Sequence, residues 1–247
     1  MGKNETDTWF RRGLIMMQIK LIVALDYDTQ DAALSLVDQL DPHQCALKVG
    51  SELFTLSGPD FLSVLIKKQF KVFLDLKFHD IPNTVARACH VAADLGVWMM
   101  NVHASGGTAM MNAARNAIEH YTTRPLLIAV TVLTSMNQQE LVSIGMNTPL
   151  QDQVVHLAKL TKEAGLDGIV CSAQEASLIK THCGTNFLAV TPGIRLSTDL
   201  PDDQSRIITP EAAIKAGSDY LVVGRPITRA PNPKQVVTDL LASCANN

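Results

Sequence analysis

Long apolar runs and blocks of like charge are both missing from this sequence. The longest apolar stretch, residues 126–133, is interrupted by Thr131 and falls far short of the ~20 residues that a membrane-spanning helix needs. Lys and Arg total 21 against 24 for Asp and Glu, which gives a formal net charge of −3 without local clusters. We therefore expect neither a membrane nor nucleic acid as a partner.

Cysteine is scarce, and its pattern argues against two kinds of site. The five cysteines form no CxxC pair and are odd in number, which fits neither a disulfide framework nor a zinc site. We interpret all of them as packing residues of a protein in a reducing compartment. Near the N-terminus, Gln18 and Lys20 end the apolar stretch that follows Arg11-Arg12 before it could serve as a signal-peptide core. We therefore expect a cytoplasmic location.

Apolar residues, by contrast, are plentiful. They make up 47% of the 247 residues, which is enough to bury a full core. Residues 1–17 are polar and aperiodic, and a regular pattern begins only after them. We expect residues 1–17 to be a poorly ordered N-terminal extension and residues 18–247 to form one domain. The Met16-Met17 pair is a candidate for the natural start of the protein.

From Lys20 onward, short apolar runs alternate with segments of helical period, which is typical of βα units around a parallel sheet. The eight candidate strands cover residues 20–26, 45–50, 71–77, 97–103, 125–133, 168–172, 187–191 and 220–224. A helical segment follows each of them, and the one after the second strand is predicted to start at Pro59. Eight such units predict an α/β fold of a single domain, the (β/α)8 TIM barrel. An open doubly wound sheet is the alternative, although no GxGxxG loop follows the first strand.

Most of the predicted strands begin with apolar residues and end with functional side chains. These end residues are Asp26, Lys48, Asp75, Lys77, His103, Thr131, Thr134, Ser172, Thr191, Gly224 and Arg225. In a parallel barrel the carboxyl ends of all strands open onto one face, where barrel enzymes place their chemistry. We therefore expect the functional site on that face.

Charges of alternating sign are concentrated on the first three strands. Asp75 and Lys77 lie two residues apart, so both side chains point to the same side of the sheet. Lys48 ends the second strand and Asp26 the first. A single Asp-Lys pair often does no more than tie strands together. Four charges that alternate in sign can instead form a preorganised electrostatic device, which holds an ammonium group where a carbanion develops.

Six segments give the chain a resemblance to a known family. They are ALDY (24–27), LKVG (47–50), DLKFHDIPNT (75–84), TVLTSM (131–136), TPGIR (191–195) and VVGRP (222–226). In these segments, and in their order, the chain resembles the bacterial type of the orotidine 5'-monophosphate decarboxylase family. The resemblance implies a homodimeric barrel that converts orotidine 5'-monophosphate to UMP and CO₂ in pyrimidine synthesis, with no cofactor and no metal.

The same resemblance assigns catalytic roles. The lysine of the DxK motif is the proton donor in that family, and the matching residue here is Lys77. Lys48, Asp75 and Asp80 complete the catalytic array, and Asp80 and Thr84 are contributed across the subunit interface. These residue types suit the reaction, because loss of CO₂ from C6 leaves a lone pair in the ring plane that the π system cannot delocalise.

The resemblance also implies a set of residues that bind the substrate. They are Asp26, Lys48, Ile81, Thr84, Thr134, Pro192, Arg195, Gln204, Gly224 and Arg225. Arg225 follows the eighth strand, where barrels often bind phosphate. Arg195 and Gln204 lie in the long polar segment 193–209, which we interpret as a lid over the phosphate.

Two other functions are also compatible with the sequence. A phosphosugar enzyme of the same barrel superfamily would share a DxKxxD pattern but use Mg²⁺, and typically continues with Ala-Gly-type residues where this chain has Ile81-Pro82. An inactive barrel that only binds nucleotide phosphate would typically lack Lys77 or an acidic partner. We interpret His103 as a hydrogen-bonded structural residue rather than a metal ligand, because no second ligand stands at i+2 or i+4. His79 falls on the alternate face from Lys77 and is left out of the site.

Overall fold

The computed structural model describes residues 20–195 and 208–245. The predicted N-terminal extension, residues 1–17, lies outside these ranges. So does Gln204, one of the predicted phosphate ligands.

Eight parallel strands close into a barrel in sequence order. They are β1 (Leu21–Ala24), β2 (Ala46–Gly50), β3 (Val72–Phe78), β4 (Met99–His103), β5 (Leu126–Val130), β6 (Gly168–Val170), β7 (Leu188–Thr191) and β8 (Tyr220–Val223). β1 pairs with both β2 and β8, which completes the ring. The (β/α)8 prediction is confirmed, and the open doubly wound sheet is wrong.

Helices alternate with the strands. They are α1 (Gln30–Val37), α2 (Ser51–Lys67), α3 (Pro82–Asp94), α4 (Gly107–Ala117), α5 (Gln138–Ser143), α6 (Leu150–Glu163), α7 (Ala173–Cys183), α8 (Pro210–Lys215), α9 (Arg225–Thr228) and α10 (Pro233–Ala245), with a 3₁₀ turn at Ala104–Gly106. Within the described ranges, no helix is both long and apolar enough to cross a membrane.

The helix after β2 starts earlier than predicted. α2 begins at Ser51, directly after the strand, and not at Pro59. Gly58 adopts φ 66°, a left-handed conformation that strains residues other than glycine, and it divides α2 into two segments. Pro59 then stands in the first turn of the second segment, where its missing N–H costs nothing. The proline therefore marks a kink inside a longer helix.

The fifth strand is shorter than predicted. β5 ends at Val130, so Thr131 and Thr134 lie in the loop that follows, and this loop carries the unpredicted short helix α5. Asn137 caps α5, because its side chain accepts a hydrogen bond from Glu140 N and the Glu140 carboxylate accepts one from Asn137 N. The loop extends the wall of the barrel at its carboxyl end.

Alternation along the strands produces two apolar layers. Phe73 belongs to the layer inside the barrel, and its neighbour Leu74 packs outward in the layer beneath the helices. At the amino end, the Trp98 ring meets the Tyr220 ring edge-on at 5.3 Å between centroids, so this end is filled by aromatic side chains. Toward the carboxyl end the inward positions become polar, and there the barrel opens.

All five cysteines are buried and unpaired. Burial raises the pKa of the Cys45 and Cys89 thiols to about 12, so both stay protonated at neutral pH. Their interpretation as packing residues is confirmed.

Candidate active site

A cavity of about 300 Å³ opens at the carboxyl end of the barrel. Its floor is apolar and includes Phe73, Val190 and Val222. Nine of the predicted site residues line it: Asp26, Lys48, Asp75, Lys77, Thr134, Pro192, Arg195, Gly224 and Arg225. Few convergent polar groups over an apolar floor are typical of a pocket for a small molecule.

Four of these residues form a chain of charges across the first three strands. Lys48 Nζ lies 3.1 Å from Asp26 Oδ1 and 3.4 Å from Asp75 Oδ2, and Lys77 Nζ lies 2.8 Å from Asp75 Oδ1. The side chains of Lys48 and Asp75 are each 12% exposed, whereas that of Lys77 is 34% exposed. Of the two ammonium groups among these four charged residues, that of Lys77 is therefore the more accessible to a ligand in the cavity.

Strand geometry explains why these charges meet. Side chains two residues apart on a strand point to the same face. The interior of the barrel is filled by Ala24, Ala46 and Phe73, and the next inward positions toward the carboxyl end are Asp26, Lys48 and Asp75. Gly50 keeps room above Lys48, because a Cβ at this position would lie 3.3 Å from Lys48 Nζ. Sequence reasoning missed this glycine, whose requirement depends on a neighbouring side chain.

Sequence reasoning also missed a polar residue that lies beneath the charges. Asn101 on β4 is fully buried, and it contacts both Asp75 and the backbone of Lys77. Two signals pointed to it: an amide within the apolar run MMNVH, and its place two residues before His103 on the same face of the strand.

Asp80, Ile81 and Thr84 do not line the cavity of their own chain. All three are exposed, and Ile81 is 67% exposed. Asp80 and Thr84 instead border a separate depression that also contains Lys77. Asp80 Oδ1 accepts a hydrogen bond of 2.6 Å from Ile81 N, which holds this turn at the start of α3.

Two arginines line the cavity where it borders β7 and β8. Arg225 is the first residue of α9 and directly follows Gly224, and Arg195 is buried at the end of the segment after β7. An isolated parallel bridge joins Ile194 to Ile208, and Arg195 N donates to Ile208 O at 3.2 Å. The two ends of the predicted lid segment are thus fixed beside the cavity.

His103 lies behind Lys77 at the end of β4. Burial, reinforced by the nearby His79 and Lys77, lowers the pKa of its imidazole, so the ring is neutral at neutral pH. Its ring contacts that of His79 at 5.4 Å between centroids, and the ring nitrogens have no hydrogen bond to another described residue, so a hydrogen-bonded role for the imidazole stays a prediction. The described part of the chain contains no group of three side chains suited to hold a metal.

Comparisons with known proteins identify one family. The model of the orotidine 5'-phosphate decarboxylase / HUMPS family matches residues 19–240. This match spans the barrel and every described residue of the site.

Individual relatives extend the likeness over nearly the whole chain. An orotidine 5'-phosphate decarboxylase of Legionella pneumophila (strain Paris) is 64% identical over 226 residues, which cover 91% of this chain and 99% of the relative. One from Aliivibrio fischeri (strain MJ11) is 59% identical over 94% of this chain and 99% of its own. The crystal structure of orotidine 5'-phosphate decarboxylase from Lactobacillus acidophilus is 38% identical, with a TM-score of 0.83 over 92% of this chain and 99% of that one. The chain belongs to the orotidine 5'-phosphate decarboxylase / HUMPS family.

Proposed function

We propose that this protein decarboxylates orotidine 5'-monophosphate to UMP and CO₂ in pyrimidine biosynthesis. The observation that carries the proposal is the chain of alternating charges, Lys48, Asp75 and Lys77, set over the apolar floor of the cavity. Relatives 59–64% identical over nearly the whole chain bear the name of this activity, which favours it over the Mg²⁺-dependent phosphosugar enzymes of the same superfamily.

The chemistry requires electrostatic stabilisation. When the bond between C6 and the carboxyl carbon breaks, its electron pair stays on C6 in the plane of the ring, outside the π system. The Lys77 ammonium, 2.8 Å from Asp75, stabilises that pair and then donates a proton to C6. Lys77 is left as a neutral amine and regains its proton from water after the product leaves.

Asp75 holds the two ammonium groups on either side of it. Its Oδ1 pairs with Lys77 and its Oδ2 with Lys48, so one carboxylate fixes the positions of both. The substrate carboxylate would lie near Asp75 and lose its charge as CO₂, which relieves repulsion between the two.

The rest of the substrate fits the other walls of the cavity. The phosphate is bound by Arg225 and by the backbone of Gly224. A guanidinium at the start of the helix that follows the last strand is well placed to bind an anion there. Arg195 supports this end, together with Gln204, which lies outside the described residues. Asp26 contacts the ribose. Thr134 and Pro192 contact the pyrimidine.

The active unit we propose is a homodimer in which Asp80, Ile81 and Thr84 complete the cavity of the partner subunit. Their exposure, and their place outside their own cavity, support this arrangement. Ile81 at 67% and Val91 at 56% exposure give α3 and the turn before it an apolar surface suited to such a contact.

We also propose that no metal takes part. Mg²⁺ binds through carboxylates, but Asp26 and Asp75 are both already paired with the ammonium of Lys48. A cation at this place would have to displace that ammonium.

Ultraviolet absorbance tests the proposal. The protein is mixed with orotidine 5'-monophosphate in the presence and absence of EDTA, with a Lys77→Ala variant purified in the same way as the control for contaminating activity. We expect the absorbance of the substrate to fall at the same rate with and without EDTA, and not to fall with the variant. An unchanged absorbance with the wild-type protein would contradict the decarboxylation, and inhibition by EDTA would contradict the metal-free mechanism.

A further inference from the structure

Asn101 is an unusual residue for its place in the barrel. It is the middle residue of β4, it faces inward between Met99 and His103, and it is 0% exposed. A buried amide costs free energy unless its donor and its acceptor are both used. Its hydrogen bonds therefore indicate what the residue does.

Both ends of the Asn101 amide bond to the catalytic motif on β3. Its Nδ2 donates to Asp75 Oδ1 at 2.7 Å, and its Oδ1 accepts from Lys77 N at 2.8 Å. A carboxylate only accepts and a backbone N–H only donates, so these two partners fix which end of the amide points where. One side chain thus contacts the two proposed catalytic residues at once.

The strand pairing explains why the contact exists. Leu74 pairs with Met100 and Phe78 with Val102, so three residues of β3 face the single residue Asn101 of β4. In this bulge Lys77 has φ 54°, a left-handed conformation that residues other than glycine rarely adopt. The Asn101 side chain takes the place of a main-chain acceptor for Lys77 N and so holds the backbone in this conformation.

We propose that Asn101 is a positioning residue for the decarboxylation, acting through Asp75 and Lys77. This inference rests on the proposed function. Asp75 Oδ1 accepts a hydrogen bond from Asn101 Nδ2 and forms an ion pair with Lys77 Nζ at 2.8 Å, so the amide sets the rotation of the carboxylate and the carboxylate in turn sets the position of the ammonium. The second hydrogen bond of the amide fixes the main chain from which Lys77 extends.

Removal of the Asn101 amide should therefore lower kcat without weakening the binding of the substrate. Asn101 does not line the cavity, so its removal leaves the contacts with phosphate, ribose and pyrimidine in place. The distance and direction of the Lys77 ammonium to C6 change instead, and a displacement of about 1 Å can slow a reaction about 10²-fold.

The test compares Asn101→Leu, Asn101→Asp and a control, Thr161→Val. Thr161 on α6 is equally buried, and its hydroxyl bonds to Leu157 O at 2.8 Å, outside the cavity. Active sites are counted by titration with UMP, and kcat is expressed per titrated site. We expect Asn101→Leu to lower kcat about 10²-fold, with KM and the Kd of UMP within about threefold of wild type. Thr161→Val should retain the wild-type kcat, even where both variants lower Tm.

Asn101→Asp keeps an acceptor for Lys77 N but places a second carboxyl group against Asp75. Two adjacent carboxyl groups share one proton at low pH, and the protonated form then donates to Asp75 as the amide does. The ratio of its kcat to that of wild type should therefore rise as the pH is lowered. This ratio still decides the matter if Asn101→Leu does not fold.

Two results overturn the positioning role: a wild-type kcat per site in Asn101→Leu, or a ratio for Asn101→Asp that stays constant with pH. A wild-type protein that leaves the substrate unchanged would contradict the proposed function itself. An active wild type with equally active variants would contradict the positioning role alone.

Discussion

The two ends of the barrel use the same charged residue types for different purposes. At the amino end, Asp167 accepts hydrogen bonds from both terminal nitrogens of Arg124, at 2.7 and 2.6 Å, and from Leu127 N at 2.8 Å. At the carboxyl end, Lys77 Nζ pairs with Asp75 and remains one-third exposed beside the cavity. Arg124 uses its charge to join strand to strand, whereas Lys77 retains hydrogen-bonding capacity for a ligand.

A second pair at the amino end repeats the pattern. Lys180 Nζ donates to Asp219 Oδ2 at 2.6 Å and to two main-chain oxygens, those of Thr185 and Phe187, at 2.9 Å each. Asp219 Oδ2 also accepts from Ala189 N at 2.7 Å, so the pair ties the start of β8 to β7. An ammonium with three partners is satisfied. From this comparison we expect charges saturated by main-chain groups to stabilise the barrel, and incompletely satisfied charges to serve the proposed reaction.

The largest expected effect separates the two lysines. Lys77→Ala should lower kcat by at least about 10⁴-fold, because general acid catalysis and electrostatic stabilisation are lost together. UMP should still bind, through its phosphate. Lys180→Ala is the matched control at the other end, and it should lower stability while keeping kcat. Steady-state kinetics and urea unfolding of both variants measure the contrast, and a near-wild-type rate for Lys77→Ala would remove this residue from the mechanism.

The next effect tests whether the carboxyl end is completed by a second subunit. Lys77→Ala and Asp80→Ala should each be inactive alone, but mixing them should restore about a quarter of the wild-type activity. Random exchange makes half of the dimers heterodimers, and each heterodimer has one site with both lesions and one site with neither. Subunit exchange is verified with differently tagged chains. No recovery after demonstrated exchange would mean that Asp80 serves its own chain.

Arg225 tests the phosphate side of the cavity. Arg225→Ala should reduce kcat/KM for the nucleotide by a factor that corresponds to about 2–5 kcal/mol of activation free energy, because the phosphate loses its guanidinium partner. The slow reaction of orotidine, which lacks the phosphate, should hardly change, since there is no dianion for the guanidinium to hold. Both substrates are measured on one variant. An equal loss with orotidine would show that Arg225 instead supports the barrel or the array of charges formed by Asp26, Lys48, Asp75 and Lys77.

The amino end should respond in stability and not in rate. Asp167→Asn weakens a half-buried bidentate pair with Arg124, and we expect a loss of about 1–3 kcal/mol in the free energy of unfolding. kcat and KM should remain those of wild type, because Asp167 lies at the far end of the barrel. Urea unfolding followed by circular dichroism gives the first quantity. A tenfold loss of kcat in the folded variant would contradict the division between the two ends.

The smallest expected effect is a pH dependence of stability from His103. Burial, His79 and Lys77 lower the pKa of the folded imidazole, with Asp75 acting in the opposite direction. Below about pH 6.5, the unfolded chain therefore takes up a proton that the folded chain does not, and stability falls as the pH falls. His103→Gln should show a flatter decline between pH 7 and 5. Equal slopes for the two proteins would indicate that His103 titrates normally in the folded state.

Much of the fold was predictable because strand alternation and helical period are local patterns. All eight strands lie where the apolar runs are, and Asp75 and Lys77 share a face because they are two residues apart. Errors occurred where a local signal had a tertiary meaning. Pro59 begins a helical segment, but the chain is already helical from Ser51, and Leu53 of this first segment is buried in the core.

The sequence by itself determined which charges gather at one end of the barrel, because period-two alternation and parallel order fix the face and the rim for Asp26, Lys48, Asp75 and Lys77. Only the tertiary structure decided how they are held. The bulge opposite Asn101 and the left-handed backbone of Lys77 depend on the register between β3 and β4, which no stretch of either strand specifies alone. Likewise, the partners that distinguish Asp167 from Asp75 come from distant parts of the chain.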